Sequence, residues 1–162
     1  MNILAVGAHW DDIELGGGLT LKKLHEKGHK VFSSVICSSQ YGPNENEGMK
    51  ESEALECGLK SFELIGATYV PTEKEPNSKL VYNKNIMQIL EKIAHEKNID
   101  TIFTHWFGDL NTDHKAIWDI SRTSFRRLLK PSFSNPKSFA VMYVSNIPLI
   151  SNPQSLLRPR IS

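Results

Sequence analysis

Short apolar runs alternate along this chain with longer stretches whose apolar residues recur at helical spacing, and this alternation limits the fold more than any other feature. Ile3-Leu4-Ala5-Val6 reads as a buried strand. Residues 17–27 read as a helix, with Leu19, Leu21 and Leu24 apolar and Gly28 as its stop. Val31 to Ile36 is a second strand, followed by a polar loop from Ser38 to Asn46 whose turn residues suit an active-site loop. A second helix is expected over residues 48–59, short strands at Phe62 to Ile65 and Thr68 to Val70, and irregular chain over residues 71–78. Ile86, Ile89, Leu90, Ile93 and Ala94 mark a third helix, Thr101 to Thr104 a strand, and His114 to Leu128 a further helix. Phe139 to Val144 reads as a last strand. Such alternation predicts an α/β fold with a mainly parallel sheet covered on both faces. In sheets of this kind ligands bind beyond the carboxyl ends of the strands.

The length of 162 residues suits one domain with a single sizeable core, expected over residues 1–144. Residues 145–162 hold three prolines and no helical period, and read as an ordered arm, a disordered tail or a truncated region. Lys and Arg number 19 against 18 Asp and Glu, so no basic field points to nucleic acid or an anionic membrane. No apolar run is long enough for a membrane span, and Met1-Asn2-Ile3 lacks the charged leader of a signal peptide. Cys37 and Cys57 read as buried free thiols, which with the rest predicts a cytoplasmic globular protein. A homo-oligomer is left open.

Two polar clusters stand at strand ends. Ala8-His9-Trp10-Asp11-Asp12-Ile13-Glu14 follows the first strand, and Gly108-Asp109-Leu110-Asn111-Thr112-Asp113-His114 follows the strand at 101–104. His9, Asp12 and His114 together offer two nitrogens and one oxygen, a set that holds zinc at three positions and leaves the fourth for water. Asp11 is left free to act as a base. The other reading of His9, Asp11 and Asp12 is a helix cap, and the other reading of His114 is a residue of a merely polar loop. Asp113 reads as a group that orients an imidazole or the loop, and Asp109 and Asn111 as shapers of the turn. Gly16-Gly17-Gly18 lacks the spacing of a phosphate loop and reads as close packing at a helix start.

The segment Gly7 to Gly16 resembles the A-H-P-D-D-x-E signature of the LmbE-like or PIG-L deacetylases, zinc-dependent enzymes that remove N-acetyl groups from amino-sugar conjugates. Thr104 to His114 resembles the second motif of that family, and order and spacing agree from residue 2 to about residue 128. The resemblance implies a Rossmann-like sandwich in which His9, Asp12 and His114 bind Zn2+ and Asp11 is the general base. It also implies an acetamido-sugar substrate, nucleotide- or lipid-linked, with zinc stabilising the oxyanion formed when water attacks the acetamide. Trp10 stands where proline is usual in the family, and Asn111 where many members carry a histidine that assists the oxyanion. Asn111 can donate a hydrogen bond there but cannot act as an acid. His105 is the candidate acid, with packing at the strand end as its other reading. Lys50 is the nearest counterpart of an arginine that members often place at the start of the second helix. Tyr41, Trp106 and Phe107 read either as a platform for a sugar ring or as ordinary packing. The rival expectations are a binding or scaffold homologue that keeps the metal site without turnover, and a metal hydrolase of another amide or ester.

Overall fold

A computed structural model describes residues 1–38 and 50–126, and the backbone of residues 138–142. Five strands form one parallel sheet: β1 (Asn2–Gly7), β2 (Lys30–Val35), β4 (Ala67–Tyr69), β6 (Thr101–His105) and β7 (Ser138–Met142). Their order across the sheet is β4-β2-β1-β6-β7. Two short strands, β3 (Cys37–Ser38) and β5 (Glu75–Pro76), pair separately beyond the end of β2. The helices are α1 (Asp12–Glu26), α2 (Glu51–Ile65), α3 (Lys84–Glu96) and α4 (Thr112–Ser124).

Alternation along β1 explains the layering. Ile3 and Ala5 face a cluster built with Ile13 and Leu21 of α1 and Ala54, Phe62 and Ile65 of α2. Leu4 and Val6 face the opposite cluster, built with Ile86, Leu90 and Ile93 of α3 and Ile117 and Ile120 of α4. A strand covered on both faces shows this near-continuous apolar run. The chain travels outward from β1 through β2 to β4, then returns to place β6 on the other side of β1. The reversal opens a crevice between the carboxyl ends of β1 and β6, where α/β sheets bind ligands.

Several element bounds differ from the sequence expectation. Phe62 to Ile65 is the last turn of α2, because Phe62 and Ile65 bury one helical stripe with Ala54 and Gly58. Gly66 then stops the helix in the left-handed conformation, with φ at 78°. α1 begins at Asp12, five residues before the expected start, so the glycines at 16–18 lie inside the helix rather than at its entrance. A Cβ at Gly18 would meet Ile65 of α2 at 3.4 Å, an ordinary van der Waals contact. Gly28 stops α1 as expected, with φ at 86°. Both cysteines are free, but Cys57 is exposed on α2 and only Cys37 is buried. α4 ends at Ser124 with Phe125 as its C-cap, four residues short of the expected Leu128. The expected loop beyond Ser38 and the 145–162 segment lie outside the described residues. No helix among the described residues is long and apolar enough to cross a membrane.

Candidate metal centre

The turn after β1 delivers His9 and, at the first residue of α1, Asp12 to the crevice, and the first turn of α4 delivers His114. All three are buried. One donor atom from each lies within 4.8 Å of the others. His114 Nε2 is 3.2 Å from Asp12 Oδ1 and 3.3 Å from His9 Nδ1, and His9 Nδ1 is 3.4 Å from Asp12 Oδ2. Asp12 is itself held, since the backbone N–H of His9 donates to its Oδ2 at 2.6 Å.

The hydrogen bonds behind His9 make this donor set fit a cation. Asp113 is a buried carboxylate that accepts from the N–H of Ser78 at 2.7 Å and from that of Leu80 at 3.2 Å. Its Oδ2 therefore takes the Nε2–H of His9 at 3.0 Å. A neutral imidazole then has its lone pair on Nδ1, aimed at Asp12 and His114. Two nitrogens and one carboxylate oxygen converging in a buried place are donors that suit zinc.

Without a metal the same centre holds protons. Burial alone would make His9 harder to protonate, but Asp12, Cys37 and Asp113 outweigh it and push its pKa up to about 10. Burial also opposes protonation of His114, and Asp12 and Asp109 overcome it to push that group up to about 9. Burial would raise the Asp12 carboxyl, yet the surrounding imidazoles of His105, His114 and His9 hold it far below the usual range. The centre thus concentrates negative potential and attracts positive charge.

A family model described as "PIG-L: GlcNAc-PI de-N-acetylase" matches residues 4–124, which include both clusters. The chain belongs to the PIG-L family. It is 26% identical over 133 residues to an uncharacterized deacetylase, YaiS, of Escherichia coli K12, covering 78% of this chain and 69% of that protein. Its fold is similar to that of N,N'-diacetylchitobiose deacetylase from Pyrococcus horikoshii, with a TM-score of 0.71, 22% identity, and coverage of 88% of this chain and 60% of that one. It is also similar to the fold of GalB, a 4-carboxy-2-hydroxymuconate hydratase of Pseudomonas putida KT2440, with a TM-score of 0.69, 16% identity, and coverage of 86% and 61%. The chain therefore spans about three fifths of the length of these solved structures.

The remaining motif residues of this PIG-L chain fall into distinct places. Asp11 is exposed at the N-cap of α1, and its side chain makes no capping bond. Asp11 thus holds the N-cap position without the side-chain bond of a cap. Asn111 caps α4 instead, with Oδ1 accepting from the N–H of Asp113 at 2.8 Å and that of His114 at 3.4 Å. His105 is fully buried, stacked on His114 with ring centroids 3.9 Å apart. Its Nε2 accepts from the N–H of Ala8 at 3.0 Å and lies 3.2 Å from Asp12. Burial pushes its pKa down despite Asp12. Packing at the strand end, the second reading of His105, describes this geometry.

Trp10, at the position where proline is usual in the family, is buried. It packs between Phe62 and Tyr69 at centroid distances of 5.8 and 5.2 Å, beneath the ammonium of Lys74 at 4.7 Å. Gly58 makes room for it, since a Cβ there would overlap the indole. Lys50 is exposed at the start of α2, where its backbone N–H donates to Glu53 at 3.2 Å. Trp106 lies part-buried against Phe107, with ring centroids 5.3 Å apart. Tyr41 lies outside the described residues.

Three further polar side chains had no role assigned from sequence. Cys37 places its buried thiol in hydrogen-bond reach of His9, at the carboxyl edge of the sheet where strand-end residues face ligands. Lys74 donates to the carbonyl of Val35 at 2.6 Å, and burial pushes its pKa down to about 8. No spacing signal in the sequence marks it. Glu14, inside the first motif, has both carboxylate oxygens buried without a hydrogen-bond partner, and burial, with Asp11 and Asp12, pushes it up to about 7.

Proposed function

We propose that this chain carries the catalytic centre of a zinc-dependent N-deacetylase acting on an acetamido-sugar conjugate. The observation that carries the proposal is the convergence of His9 Nδ1, Asp12 and His114 Nε2 beside an exposed Asp11. His9, Asp12 and His114 would hold the zinc, with Asp113 orienting His9. Zinc, when bound, supplies Lewis acidity at the acetamide carbonyl. Asp11 takes a proton from the attacking water as its oxygen bonds to the carbonyl carbon. The C–N bond then breaks, and Asp11 returns the proton to the departing amine. Acetate and a free amino sugar leave.

Asn111 is proposed as an oxyanion donor through Nδ2, since its Oδ1 is turned toward α4. The burial of His105 favours a supporting role beneath Asp12 and His114 over an acid role, which leaves both proton transfers to Asp11. Lys50, Tyr41 and Trp106 remain proposed substrate contacts. Two free thiols accord with a cytoplasmic location. The family model's description names an acetylated sugar lipid, and the Pyrococcus neighbour is named for an acetylated disaccharide, which supports the substrate class. The test is acetate release from N-acetylated sugars, nucleotide sugars and glycolipids, with simple esters as comparison, before and after chelation. Chelator-sensitive acetate release from one of the sugars supports the reading. Zinc binding without turnover of any of them favours a non-catalytic homologue.

A further inference from the structure

Asp109 stands on the far side of His114 from the converging donors. Its Oδ2 is 3.0 Å from His114 Nδ1, and its Oδ1 accepts from the N–H of Asn111 at 2.9 Å. Asn111 in turn caps α4 at the backbone of Asp113 and His114. One carboxylate thus ties the imidazole to the turn that presents it.

We propose that Asp109 is a positioning residue that fixes His114 with its proton on Nδ1, so that the Nε2 lone pair faces His9 and Asp12. The inference rests on the zinc reading above. Its physical basis is a competition between two carboxylates for one proton. A neutral imidazole carries one N–H and one lone pair. Asp12 Oδ1, 3.2 Å from Nε2, would draw the proton to Nε2 and block that nitrogen as a ligand. Asp109 offers an equivalent acceptor at 3.0 Å on the opposite edge of the ring and reverses the preference. Asp113 stands in the same relation to His9, so each candidate ligand imidazole has its own carboxylate behind it.

Asp109 also belongs to an alternative triad with His105 and His114 whose donor atoms lie within 4.8 Å of one another. Asp109 would then be a ligand itself. That arrangement turns His114 Nδ1 toward the metal and commits its Nε2–H to His9 Nδ1 and Asp12 Oδ1, which would withdraw His114 from the donor set it forms with them. The fully buried His105 already uses Nε2 as an acceptor from Ala8. The orienting role keeps His9, Asp12 and His114 together as one donor set.

Asp109→Asn is the decisive variant. An amide has one oxygen, which can serve either Asn111 N–H or His114 Nδ1–H. If it keeps the turn, its NH₂ faces Nδ1 and favours the wrong tautomer. The affinity for zinc alone, measured by competition with a chromophoric chelator, should fall about 10- to 100-fold in Asp109→Asn and in Asp109→Ala. A nitrogen–proton correlation spectrum of the zinc-loaded wild type should show His114 protonated on Nδ1. Affinity in Asp109→Asn within about twofold of the wild type, well short of the usual effect of losing an orienting carboxylate, overturns the proposal. So does a wild-type spectrum with the His114 proton on Nε2, a result that does not depend on the variants folding. A wild type that binds no zinc refutes the functional reading itself, whereas zinc binding with an indifferent Asp109 refutes only this inference.

Discussion

His9 Nε2 and Asp113 Oδ2 meet at 3.0 Å although 104 positions separate them in the chain. β1 and β6 are neighbours in the sheet, so the loop after one and the helix after the other open into the same crevice. Asp113 also accepts from the backbone of Ser78 and Leu80, which brings the segment before α3 to the same carboxylate. Three distant pieces of chain therefore fix one imidazole.

His114→Ala should abolish most zinc binding, because it removes one of three converging donors and leaves only His9 and Asp12. Elemental analysis of the purified variant checks this. Full occupancy would sink the ligand assignment.

Asp11→Asn should keep the fold and most of the metal while losing turnover by roughly 10²–10⁴-fold, the usual size of general-base loss. The side chain is exposed and makes no capping bond, so the isosteric amide disturbs nothing structural. Near-normal acetate release would make Asp11 a bystander.

Asn111 has two proposed roles that one pair of variants separates. Asn111→Ala removes the cap of α4 and should cost about 0.5–2 kcal/mol of stability, along with the oxyanion donor. Asn111→Asp can still cap the helix but cannot donate. It should melt close to the wild type while losing roughly 10²-fold in turnover. If Asn111→Asp retained full activity, its amide would have no part in the reaction.

Gly58→Ala should destabilise the protein by about 1–3 kcal/mol through overpacking, because the new methyl would overlap the Trp10 indole. Thermal melting measures the loss. Combining it with Trp10→Leu, which vacates part of that space, should recover some of it.

Chelator-treated protein should lose stability as the pH rises from neutrality toward 10. His9 and His114 titrate at about 10 and about 9 when folded, against 6.5 for the free side chain. A group whose pKa is raised by folding stabilises fully below its unfolded value and loses that contribution as pH climbs through the folded one. Asp12 has the opposite sign: its lowered pKa contributes above the ordinary aspartate range and is lost on acidification. Melting temperatures across this range should decline for the treated protein and stay flat for the zinc-loaded one. Equal declines in both would show that the metal does not replace those protons.

The alternation of apolar runs with helical periods was enough to read a parallel α/β sheet and to place both polar clusters at strand ends. β1 is legible because a strand buried on both faces needs an unbroken run, and Ile3 to Val6 supplies it. Phe62 to Ile65 misled for the same reason: a short apolar run fits the last turn of a helix as well as a strand, and only packing against α1 and Trp10 chose the helix. The residues at the centre were readable as residue types that suit a metal. Which ring nitrogen faces which carboxylate was not, because that depends on where β6 lies beside β1. Asp109 and Asn111 both read as turn residues in the sequence, and only the family resemblance gave Asn111 a further role. The structure separates them: the carboxylate of one reaches the His114 ring, while the amide of the other caps the helix that carries it. Local sequence thus determined the elements and the chemical types at their ends. Tertiary structure decided the pairings, since hydrogen-bond direction is set by atoms that only the folded sheet brings within about 3 Å.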